Sequence, residues 1–161
     1  MDLIAGLIQT AILAGGVLAL AALGEVLAER AGVVNLGVEG LMALGAITGI
    51  AAVVAVPSPM LGFALALLVG LAVGMVFATA TVIVRANQIL CGLALTLMGT
   101  GVAAMIGKAY SGIPAPATFP PIAIPLLSEL PLVGRALFTQ NILVYLIYLV
   151  LPFCIHHLLF R

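Results

Sequence analysis

The chain has 161 residues, 65% hydrophobic and 6% charged; a soluble domain carries roughly 25% charged residues, so a water-soluble globular protein is excluded. Five basic and five acidic side chains cancel to zero net charge, which leaves no positive field to hold a nucleic acid. At about 20 apolar residues per crossing of a ~30 Å hydrocarbon core, the length accommodates about five membrane spans and short connections.

The first apolar run lacks the basic start and cleavage site of a secretory signal. It predicts a retained span over about 3–24, closed by an interfacial loop holding Gly24, Glu25, Glu29 and Arg30. A second span is expected over 33–56, ended by Pro57-Ser58-Pro59, because consecutive prolines remove helix donors and favour extended backbone. The third run, 60–84, stops at Arg85, and the fourth, 87–107, begins at Asn87-Gln88 and fades at Gly107-Lys108. Residues 108–139 contain Pro114, Pro116, Pro120, Pro121, Pro125 and Pro131, a density that a continuous membrane helix does not accommodate, so an extramembrane loop is expected there. Within it, Leu126, Leu127 and Leu130 around Ser128 and Glu129 suit one short amphipathic turn. A fifth span over 141–160 carries Pro152 and completes an all-α, polytopic transmembrane helix bundle. With the N-terminus outside the cytoplasm, Arg30, Arg85 and Arg161 face inward against Lys108 and Arg135 outward, and the positive-inside rule favours this orientation by a single charge.

The stretch LGEVLAERAGVVNLGVEGLMALG, residues 23–45, concentrates the polar groups. An intramembrane carboxylate such as Glu39 costs roughly 2.5–3.5 kcal/mol on insertion scales, so it faces protein, a partner or a wet cavity. Asn35, Gly37 and Gly40 flank it, and clustered glycines let a helix unwind or another backbone approach. A broken helix lining a pathway explains both features; the alternative is a Glu39 solvated near a helix start. Glu25 and Glu29 lie on one helical face, either as a structural ion-pair site with Arg30 or as a solvated membrane edge. Thr96 and Thr100 share a face of the fourth span and could bond a polar solute, a neighbouring helix or their own backbone. Asn87 and Gln88 suit either a pore mouth or a helix cap. The pairs Gly45/Gly49 and Gly70/Gly74 have the spacing of closely packed membrane helices.

Other chemistry is not supported. Cys91 and Cys154 lie in apolar runs and read as small core residues, without the spacing of disulfides or zinc ligands. Adjacent His156 and His157 point about 100° apart on a helix, so no metal site is expected. No hydrolase or metalloprotease motif is present, and the lone Lys108 is followed by Ala109 rather than Ser or Thr, which excludes a Walker A loop. The chain is not expected to be an enzyme.

The segments GEVLAERAGVVNLGVEGLMALGA, NQILCGLALTLMGTGVAAMIGK and YSGIPAPATFPPIAIPLLSELPLVGRALFTQNILVY occur in order across nearly the whole chain. This chain resembles the permease subunits of bacterial ABC importers of the branched-chain amino acid, ribose and nucleoside group, most of all the nucleoside or simple-sugar uptake permeases. The resemblance implies a multi-pass subunit of the bacterial cytoplasmic (inner) membrane. It also implies a second permease subunit, two ATPase domains that bind ATP and Mg, and an extracytoplasmic solute-binding lipoprotein as partners. No cofactor is expected on this chain itself. Asn35, Gly37, Glu39 and Gly40 match the glycine-rich second-span motif, and residues 87–100 match the fourth-span segment. The resemblance makes Asn35, Glu39, Asn87, Gln88, Thr96 and Thr100 candidates for the solute pathway. Family members are about twice as long and carry the ATPase-coupling loop beyond FCIHHLLFR, so this chain is read as an N-terminal part. The alternative is a non-transporting membrane scaffold or an inactive remnant of such a permease.

Overall fold

Proline and short polar side chains punctuate the apolar sequence, and the computed structural model of the chain starts and stops its helices at these points. The structure describes residues 2–125, 128, 134 and 137–160. They divide into two units, Ala28–Thr118 and Met1–Leu27 with Phe119–Arg161. The protein is all-α and polytopic: four helices are long and apolar enough to cross a bilayer.

Helix α1 spans Asp2–Arg30. The expected loop at Glu25, Glu29 and Arg30 is therefore helical, and the turn comes one step later. Gly32 there has φ of 80°, the Gly32 amide donates to Glu29 O at 2.9 Å, and the Val33 amide donates to Ala28 O at 3.0 Å. These two bonds and the left-handed glycine make a Schellman motif, which satisfies carbonyls that the helix end would orphan. The basic Arg30 in the last turn complements the negative end of the helix dipole.

In the unit Ala28–Thr118, α2 covers Val38–Ala55, so residues 33–37 of the second expected span are not helical. Val56 is extended, with φ −136° and ψ 113°, as a residue before proline must be. Ser58 then caps α3, Pro59–Ala78, through its side chain and the Leu61 amide, and Pro59 occupies the first turn, where its missing donor costs nothing. A π-turn at Thr79–Ile83 continues α3. The Thr79 and Thr81 hydroxyls donate to Met75 O and Phe77 O at 2.8 and 2.9 Å, back-bonding of the kind that bends helices. Arg85, at φ 60°, closes the segment. Helix α4, Gln88–Gly107, is capped by Asn87, whose Oδ1 accepts from the Leu90 amide at 3.1 Å. Beyond it, Gly112 at φ 80° and an Ile113 amide donating to Tyr110 O at 3.2 Å form the glycine turn that opens the proline-rich stretch.

In the other unit, β1, Pro121–Ala123, pairs antiparallel with β2, Thr139–Asn141, with Ile122 opposite Gln140. Asn141 caps α5, Ile142–Tyr145, which runs on through a π-turn at Leu146–Val150 into α6, Leu151–Phe160. Pro152 has no amide for the carbonyl four residues earlier and its ring crowds that carbonyl, which accounts for widening of the helix before it. The fifth expected span is thus a shorter apolar helix, Ile142–His157, than the other four. Tyr145 ties this unit together: its hydroxyl donates to Ile122 O at 3.1 Å and accepts from the Gln140 amide at 3.2 Å. The amphipathic turn expected around Leu126, Leu127, Glu129 and Leu130 lies outside the described residues, as do Pro131, Arg135, Arg161 and the Cys154 side chain.

Candidate functional site

Residues 32–37 run alongside the first turns of α4, and side chains of α4 hold their backbone there. Gln88 grips the segment at two points. Its Oε1 accepts from the Val34 amide at 2.8 Å and its Nε2 donates to Gly32 O at 3.4 Å. Two turns on, the Thr96 hydroxyl donates to Leu36 O at 2.7 Å. The three gripped residues, Gly32, Val34 and Leu36, alternate along the segment. From Gln88 to Thr96 the helix rises about 12 Å at 1.5 Å per residue. Non-helical backbone therefore occupies the depth of the first turns of a membrane-length helix, a condition met where it is buried in protein or borders a wet cavity.

Glycine on both sides permits this approach. A Cβ on Gly92 would fall 2.8 Å from Leu36 N, and one on Gly99 would fall 2.6 Å from Gly40 O. On Gly40 it would collide with Leu95 O and stand 2.8 Å from the Thr96 Cα. Gly37 is closed by the Leu95 side chain and by Asn35 Oδ1, which accepts from the Gly37 amide at 2.9 Å. The Asn35 side chain thus turns the segment into α2, whose N-cap residue Gly37 offers no side-chain cap. Glu39 stands exposed in the first turn of α2, where a carboxylate is favoured by the helix dipole.

The other candidates separate from this cluster. Asn87 is committed to capping α4. Thr100 donates to Thr96 O at 2.6 Å, inside its own helix. Gly49 packs on α3, with Gly62 O 3.7 Å from its Cβ position, whereas nothing lies within 4 Å of that position at Gly45, Gly70 or Gly74. The closest glycine contact between α2 and α3 is at Gly62, where a Cβ would meet Val53 Cγ2 at 2.5 Å and Gly49 O at 3.0 Å. Sequence reasoning passed over Gly62, Gly92 and Gly99. The signal available for the last two was a stripe on α4, since Gln88, Gly92, Leu95, Thr96 and Gly99 recur at helical spacing. Cys91 is a half-buried free thiol. Among the described residues, no three His, Cys, Asp or Glu side chains gather as metal ligands.

Chemically, the hydrogen-bonding groups of Asn35, Gln88 and Thr96 are engaged with the backbone of residues 32–37, and the Glu39 carboxylate stands exposed beside them. The family described as the branched-chain amino acid transport system / permease component matches residues 7–159. A permease protein of Haloferax volcanii provisionally named for glucose ABC transport, TsgC13, is 40% identical over 94% of this chain and 47% of its own length. The guanosine ABC transporter permease protein NupQ of Bacillus subtilis is 31% identical over 89% of this chain and 48% of its own. For the nucleoside ABC transporter permease protein NupC of Lactococcus lactis the values are 29%, 86% and 47%. The chain spans about half the length of these curated relatives. No solved structure matches it.

Proposed function

The chain belongs to the family of branched-chain amino acid transport system permease components, and from this premise we propose that it forms part of the membrane pathway of an ATP-driven importer of nucleosides or simple sugars. The observation that carries the reading is a family match over almost the whole chain together with relatives named for glucose, guanosine and nucleoside transport. The four membrane-length helices make it a multi-pass membrane protein. Its membrane is the bacterial cytoplasmic (inner) membrane, with the N-terminus outside. Its partners are a second permease, two ATPase domains holding ATP and Mg, and an extracytoplasmic solute-binding lipoprotein. ATP is hydrolysed by the ATPase subunits, and this chain guides the solute.

In this reading the segment 32–37 and Glu39 border the pathway, and Gln88 and Thr96 hold the segment in place. Gly45, Gly70 and Gly74 accept helices of the rest of the permease. Uptake of labelled guanosine, uridine, ribose and glucose by the full-length importer in proteoliposomes tests the function: ATP-dependent accumulation of one of them is the expected result, and accumulation of none would refute it. Within that assay, Glu39→Gln is expected to lower uptake about tenfold, equivalent to about 1.4 kcal/mol. Protein abundance should hardly change, because an exposed first-turn carboxylate contributes only about 0.3–1 kcal/mol through the helix dipole. Unchanged uptake at matched abundance would remove Glu39 from the pathway.

A further inference from the structure

Where α3 ends, in the unit Ala28–Thr118, an open groove of about 390 Å³ runs along the π-turn, lined by Met75, Val76, Thr79, Ala80 and Val84. The chain then passes straight to Arg85, an exposed residue whose guanidinium has no hydrogen bond or ion pair among the described residues. We propose that this place binds one anionic phospholipid, with an acyl chain in the groove and the phosphate on Arg85. The proposal needs only the membrane-spanning helices, so it stands or falls apart from the solute that the importer carries.

The walls suit hydrocarbon. Met75, Val76, Thr79 and Ala80 recur at the spacing of one helical face. The one hydroxyl among them, that of Thr79, is already given to Met75 O at 2.8 Å, so the lining has no proton to offer an occupant. Polar groups that enter such walls unpaired are costly, which favours an acyl chain over a polar solute. Depth in the bilayer agrees. The apolar helix Pro59–Ile83 has 25 residues, about 37 Å at 1.5 Å per residue, against a hydrocarbon core of about 30 Å. With Pro59 at one interface, the groove lies in the far leaflet and Arg85 emerges among the headgroups. Apolar lining followed by a cation is also the order of a phospholipid, from acyl chain to phosphate.

The backbone at Arg85 directs attention to its side chain. Its φ of 60° lies in the left-handed region, which suits glycine and penalises residues with a Cβ. Conformation alone therefore calls for glycine, and what arginine adds is the guanidinium. Its planar fork holds a phosphate through two parallel hydrogen bonds, where lysine offers a point charge. A zwitterionic headgroup carries an ammonium that offsets its own phosphate, whereas a net negative headgroup leaves the charge for Arg85. A helix from the remainder of the permease would fill the walls as well, but it answers the cation only by bringing a carboxylate to this point. An anionic phospholipid supplies both parts at once.

The test is photocrosslinking of the full-length permease in phosphatidylcholine nanodiscs that contain a trace of phosphatidylglycerol with a diazirine on its acyl chain, followed by peptide mapping. Label on residues 75–84 is expected, removed when about one fifth of the lipid is plain phosphatidylglycerol and kept when the same share is phosphatidylethanolamine. Arg85→Gln should lower this label about fivefold, the share of one basic residue near an anionic surface, and Arg85→Lys should lower it less. Ala80→Phe, which narrows the groove, should lower it without touching the charge. Arg85→Gly separates binding from structure: it suits the left-handed backbone, so the thermal midpoint without added phosphatidylglycerol should hold or rise while the label falls as in Arg85→Gln. Label confined to other segments, equal displacement by both lipids, undiminished label in Arg85→Gln, loss of label only alongside loss of stability, or crosslinks from the groove to a helix of the remaining permease would overturn the proposal.

Discussion

Alanine at Gly99 should destabilise the protein, while alanine at Gly101, two residues along the same helix, should leave stability unchanged or raise it. On helix propensity alone both replacements are favourable by about 1 kcal/mol. At Gly101 nothing lies within 4 Å of the new methyl, so propensity decides the outcome. At Gly99 the methyl would lie 2.6 Å from Gly40 O, 2.7 Å from its Cα and 2.8 Å from its carbonyl carbon. These are backbone atoms, which cannot swing aside as a side-chain tip can. Overpacking of this kind costs typically 1–3 kcal/mol, and against the propensity gain of about 1 kcal/mol the net effect at Gly99 is a loss of up to about 2 kcal/mol. Thermal unfolding of the full-length protein in detergent reads the difference directly. Equal midpoints for Gly99→Ala and Gly101→Ala would refute the close crossing of α2 and α4.

The second large effect concerns the grip on residues 32–37. Gln88→Leu removes the partners of Val34 N and Gly32 O together, and Thr96→Val removes the donor to Leu36 O while keeping the shape of the side chain. A backbone group left unpaired costs about 1–3 kcal/mol in a protein interior and several kcal/mol in hydrocarbon. The non-helical segment should loosen, lowering uptake by at least tenfold in Gln88→Leu and less in Thr96→Val. Thr96→Ser should restore uptake, because serine supplies the same donor. The double variant should fall short of the sum of the single losses, since both side chains hold one segment. Hydrogen exchange at residues 32–37 in the full-length protein tests the cause. Protection as strong in Gln88→Leu as in the parent would show that another contact holds the segment.

The parts of this architecture that depend on neighbouring residues were legible in the sequence. Pro57-Ser58-Pro59 ends α2 and starts α3, Asn87 caps α4, and the apolar runs mark the membrane-length helices. The non-helical segment was less so. Val33, Val34 and Leu36 continue the apolar run into α2, and what holds this non-helical backbone is hydrogen bonding to Gln88 and Thr96, more than fifty residues away. The glycine cluster announced a break or a close approach without naming the partner. Spacing alone singled out Gly45, Gly70 and Gly74, yet the close crossings fall at Gly40, Gly62, Gly92 and Gly99, because a small-residue pair shows its partner only when two helices meet. Polarity likewise grouped Asn87 and Thr100 with Gln88 and Thr96, although the first two satisfy α4 itself.

We propose that this chain works as the membrane part of an ATP-driven importer. Native mass spectrometry of the complex extracted from its own membranes tests it most directly, through the masses of the polypeptides that stay together. The account predicts membrane-spanning permease mass equal to at least two copies of the relatives' full length, together with two ATPase chains. This chain extracted without any ATPase partner would contradict the account.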